Sequence, residues 1–113
     1  MQDLPLKGEP KFIKGMLLKI VNGLVEKPSI KEFYLGVTCD LITTKVNLNC
    51  DMILSLYETH NKDDAGVIQS ELISYYSAHK KCINVDAQEI KKGSDYNVNN
   101  VFIGFWYSEE ESK

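Results

Sequence analysis

The chain predicts an α+β domain: a small, mainly antiparallel sheet of three strands, or slightly more, packed against two long helices. Two patterns carry this expectation. Apolar residues recur at helical spacing over residues 11–26 and 62–79, as one face of an amphipathic helix requires. Residues 33–38, 52–58 and 101–107 are instead short runs rich in aromatic and β-branched side chains, the composition that suits a pleated, half-buried surface. Helices and strands in this order pack as two layers around one core. At 113 residues the chain is read as a single domain, 1–113, with frayed ends at 1–9 and at the acidic 108–113.

The first helix is the clearest element. Phe12, Ile13, Met16, Leu17, Ile20, Val21, Leu24 and Val25 form adjacent pairs every four residues, giving one wide apolar stripe. Pro10 suits its first turn and Pro28 ends it. Phe33 to Thr38 reads as a strand around Gly36, and Met52 to Glu58 as a second. Between them, DLITTKVNLNC is ambiguous: its β-branched residues favour extension, while its length accommodates a short helix. Asn61 suits the N-cap of the second long helix, with Asp63 and Asp64 in its first turn. Ala65, Ile68, Leu72, Tyr75 and Tyr76 supply that helix's buried face. KKGSDYNVNN, residues 91–100, reads as a polar loop before VFIGFWY, a strand too apolar on both faces for a surface edge.

Composition narrows the function. All 13 basic residues are lysines, against 16 acidic ones. Bidentate recognition of phosphate or guanine needs the guanidinium fork and is excluded. The net charge of -3 gives no strong electrostatic footprint for nucleic acid. No apolar run approaches the roughly 20 residues of a membrane span, and no secretion signal opens the chain, so the expected compartment is cytoplasmic. Cys39, Cys50 and Cys82 have no closely spaced partner, which favours buried free thiols over a zinc site that would also use His60.

One stretch is more specific. FYLGVTCDL resembles the second signature strand of the GIY-YIG nuclease family, with Tyr34, Leu35 and Gly36 at the YIG positions. Further on, Ala65, Glu71, Leu72 and Ile73 resemble that family's later helix, and Asn84 an asparagine that often follows it. The resemblance spans residues 32–84. It implies that Glu71 holds a divalent cation, Mg²⁺ or Mn²⁺, and that Tyr34 assists the nucleophile. A hard cation prefers carboxylate oxygen and polarises the phosphoryl group, which makes that division of labour sensible.

The family's arginine belongs on the short helix after YLGVT. Thr43, Thr44 and Lys45 stand there instead, and Val46, Asn47 and Leu48 occupy the region of its usual histidine. Lys45 is the one available substitute, without the fork that grips two phosphate oxygens. Losing one placed electrostatic donor costs about 2.7–4 kcal/mol of transition-state stabilisation. The expectation is therefore a GIY-YIG-like domain that has lost catalysis and acts as a binding or interaction module. An active metal-dependent endonuclease using Lys45 is the alternative. A third reading, from another class, is a small protein-binding antagonist or adaptor of viral or mobile-element origin, contacting its partner through an edge of the final strand. The partner, protein or nucleic acid, stays open, as does homodimerisation; a membrane partner is not expected.

Overall fold

A computed structural model of the chain describes residues 4–83 and 98–108. Six elements follow in order: α1 Pro10–Val25, β1 Ile30–Thr38, α2 Leu41–Leu48, β2 Met52–Thr59, α3 Lys62–Tyr76 and β3 Asn99–Tyr107. The α+β class and the three-stranded antiparallel sheet are as expected. The helix count is not: a third, short helix resolves the ambiguous stretch. Asp40 decides it, because its carboxylate accepts from the Thr43 N–H at 3.0 Å and the Thr43 hydroxyl at 2.8 Å, the arrangement that starts a helix. Asn49 closes it in the left-handed region at φ 55°. Asn84 and residues 91–97 of the expected loop lie outside the described residues; Asn99 and Asn100 open β3 instead.

The sheet order is β1-β3-β2, with β3 antiparallel to both neighbours. The last strand is thus central, which explains why it is buried on both faces from Val101 to Phe105. Beyond β2, Leu6 donates to Leu56 O and accepts from the Glu58 N–H, both at 2.9 Å. Beyond β1, the Phe33 N–H donates to Lys81 O and Phe33 O accepts from the Ile83 N–H, also at 2.9 Å. Each outer strand therefore carries a one-residue bridge along its exposed side, which shortens the unpaired edge.

One face of the sheet carries the core. Phe33, Leu35 and Val37 from β1 and Val101, Ile103 and Phe105 from β3 meet Ile13, Leu17, Val21 and Val25 of α1 and Ala65, Ile68, Leu72 and Tyr76 of α3. A bulge between Ser55 and Tyr57 turns both Leu56 and Tyr57 into buried positions, the local effect of one extra residue on a strand. The apolar stripe of α1 splits. Its 13-17-21-25 row is buried, whereas Phe12 is 69% exposed and Met16 37%. Tyr75 also departs from expectation: it is 58% exposed, and Gln69 holds the corresponding place on the buried face of α3.

α2 packs on the opposite face, against β2 and β3. Gly104 allows this approach, because a Cβ there would stand 3.2 Å from Cys50 Sγ and 3.6 Å from Leu48 Cδ1. Trp106 Nε1 donates to Asn49 O at 2.9 Å and fastens the end of α2 to β3.

Candidate functional site

The second face of the sheet is polar at one end. Asn100 of β3 donates through Nδ2 to Thr38 O at 3.3 Å, and its Oδ1 accepts from the Ser55 hydroxyl at 2.8 Å. These bonds tie the end of β1 and the middle of β2 to the start of β3. Thr38 Oγ1 lies 2.6 Å from Thr44 Oγ1, joining the end of β1 to the middle of α2. The N-cap of α2 thus sets the position of a polar wall as well as the start of a helix. Accepting from Thr43 also holds the Asp40 carboxyl below the usual carboxylate range.

Beside this wall is a cavity of about 120 Å³. Tyr34, Gly36 and Thr38 line it from β1, Thr44, Asn47 and Leu48 from α2, and Phe102 from β3. Val37 and Gln69 join from the core side, so the cavity reaches both faces of the sheet beside β1. Gly36 sits opposite Phe102 in the β1–β3 register. A Cβ there would come within 2.8 Å of the Phe102 ring and 3.0 Å of Tyr34 Cε1. The two rings flank the glycine with centroids 6.1 Å apart and planes tilted by 30°. The glycine is therefore what lets the aromatic wall close.

Gln69 is the most informative of these residues. It is 1% exposed, and its Oε1 is buried with no hydrogen-bond partner. A buried acceptor left unpaired costs free energy unless something meets it. Its signal in the sequence was its phase: four residues after Ala65 and three before Leu72, it is a polar side chain on an otherwise apolar helix face.

The expected site residues separate. Tyr34 and Gly36 line the cavity. Lys45 is exposed on α2 and does not line it. Glu71 is exposed as well, and lines a groove of about 350 Å³ between α1 and α3, with Lys14 and Tyr75. The α3 side chain that shares the cavity with Tyr34 is Gln69, two residues earlier. Asn84 is outside the described residues.

The cavity does not fit a resident divalent cation. None of its nine lining residues is charged, and none is a carboxylate, imidazole or thiol. Hard dications take carboxylate ligands, and the two neutral carboxamides of Gln69 and Asn47 are poor replacements. Among the described residues, no three His, Cys, Asp or Glu side chains gather closely enough to hold a metal. The three thiols are likewise dispersed: Cys39 exposed, Cys82 half-buried and Cys50 buried, with burial pushing the Cys50 thiol up. His79 follows the end of α3. Its ring packs edge-on against Phe33 at 5.4 Å, and its Nδ1 accepts from the Lys81 N–H. Lys81 Nζ supplies the charge at a helix end, donating to Val25 O at 2.8 Å and Lys27 O at 3.0 Å.

No helix among the described residues is long and apolar enough to cross a membrane. The chain matches no protein-family model, and no curated protein or solved structure is significantly similar to it.

Proposed function

We propose that this chain is a GIY-YIG-like domain without catalytic activity, working as a binding module through the cavity beside β1. The observation that carries the reading is Gln69. The α3 side chain that shares the cavity with the signature tyrosine is a neutral amide, where metal-dependent cleavage needs a carboxylate. A phosphodiester also needs fixed positive charge against its developing oxyanion. No lysine lines the cavity. The same residues are well suited to recognition, since hydroxyl, carboxamide and aromatic groups converge on one small space.

Incubating the pure protein with plasmid and Mg²⁺ or Mn²⁺ tests this. No cleavage is expected. Metal-dependent cleavage abolished by Glu71→Ala or Lys45→Ala overturns the reading in favour of the active endonuclease.

A second reading, a small protein-binding adaptor, is favoured by α2. Ile42 is 80% exposed and Val46, one turn on, 73% exposed, so the outer face of this helix offers apolar surface. The final strand does not offer an edge, because β3 is paired on both sides. The contact for a partner, or for a second copy of the chain, is then α2. Mass in solution and a stoichiometric pull-down, each compared between wild type and Ile42→Asp, separate this reading from the first.

A further inference from the structure

We infer that the cavity beside β1 binds a small uncharged planar group bearing an amide edge, held by Gln69 against the Tyr34–Phe102 wall. This rests on the binding-module reading and names its ligand class. The starting point is the buried, unpartnered Gln69 Oε1, which requires a hydrogen-bond donor. A carboxylate or phosphate would bring in a negative charge that no lining residue pairs. An ammonium would enter a space whose lining carries no compensating charge, and burying an unpaired charge is strongly unfavourable. The donor therefore belongs to a neutral group.

Size and shape narrow it further. About 120 Å³ is well below the roughly 300–1,000 Å³ of pockets for drug-sized ligands. It suits one small ring with its substituent. Tyr34 and Phe102 supply an aromatic surface for such a ring. At the α2 side, Thr44 and the exposed Asn47 offer a hydroxyl and a second carboxamide. An amide edge carries a donor beside an acceptor, so it complements the Gln69 carboxamide in either of its two flipped orientations. Ordered water is the competing occupant. It meets the same acceptor but discriminates between no ligands.

The test is an NMR titration of the full chain with nicotinamide, an exocyclic amide, and with 2-pyridone, a ring lactam. Nicotinate, which keeps the nicotinamide ring but replaces the amide by a carboxylate, is the control. At least one neutral probe should shift the Tyr34, Thr44 and Gln69 resonances and bind about tenfold or more tightly than nicotinate. Gln69→Leu should abolish that binding while melting no lower than wild type. Asn47→Ala, at an exposed position, should weaken it in a chain that folds normally. Three results overturn the inference: no shift with either neutral probe, equal binding of nicotinate, or binding that survives Gln69→Leu. The plasmid assay decides the parent reading separately, since an uncleaved plasmid with no probe binding removes only the ligand class.

Discussion

Gln69 and Gly36 each trade stability for the cavity between them. Gln69 spends a buried position on an acceptor with no partner, and an unsatisfied buried group costs about 1–3 kcal/mol. Leucine has a similar volume and no such need. Gln69→Leu should therefore raise unfolding stability by roughly 1 kcal/mol, read as a higher urea midpoint at unchanged slope. An unchanged or lower midpoint would show that the amide is satisfied in solution. Gly36 presents the opposite case. Any Cβ there meets the Phe102 ring at 2.8 Å, and that ring belongs to a residue only 2% exposed. Gly36→Ala should cost about 1–3 kcal/mol, the usual penalty for overpacking. Adding Phe102→Leu should recover part of it, because the smaller side chain frees the space. If the two substitutions instead add without interaction, the contact is not the cause.

At the scale of elements, α2 depends on its ends because none of its residues is fully buried. The Asp40 cap is ionised, and its native pKa lies below the ordinary value because Thr43 donates to it. Its contribution is thus complete above the unfolded carboxyl's pKa and disappears as pH falls through the native one. Amides of residues 41–48 should exchange faster, relative to α3, on acidification, and Asp40→Ala should produce that contrast already at neutral pH. The α3 cap is neutral: Asn61 accepts from the Asp63 and Asp64 N–H groups at 2.8 and 3.1 Å. Asn61→Ala should cost roughly 1 kcal/mol with little pH dependence. The long helices and the three strands were legible because their periods are unambiguous, and the apolar run of β3 already implied a central place. α2 was not, since eight residues with β-branched side chains satisfy either template and a single carboxylate decides between them. Two of the nine residues lining the cavity were legible too. Tyr34 and Gly36 are conspicuous in YLG, whereas attention to a carboxylate selected Glu71 over Gln69. Two residues apart on a helix point to different sides, so helical phase, measured from Ala65, identifies the buried one.

The whole molecule is held by a junction that carries no charge when native. α1 and α3 cover one face of the sheet, and the Tyr76 hydroxyl links them, donating between Asn22 Oδ1 and Leu18 O on α1. Its ring also packs edge-on against Phe33 of β1, with centroids 5.8 Å apart, so one side chain touches both helices and the sheet. Burial, with smaller effects from Tyr75 and Glu26, pushes its phenol up to about 12, against about 10 in the unfolded chain. Between those two values the unfolded chain has released this proton while the folded one retains it, so unfolding gains and stability falls as pH rises. Below about 10 both states hold the proton and the group adds no slope. Tyr57, also pushed up by burial, adds a smaller contribution of the same sign. Urea midpoints should therefore begin a shallow decline near pH 9, where the buried Cys50 thiol, also pushed up, starts to contribute, and decline steeply from about 10 towards 11.5. Tyr76→Phe should lower the midpoint at pH 8 by the equivalent of about 1 kcal/mol for the lost hydrogen bond. More tellingly, it should flatten the alkaline decline and leave only the parts due to Tyr57 and Cys50. A variant as steep as wild type above pH 10 would move the origin of alkaline unfolding away from the α1–α3 junction.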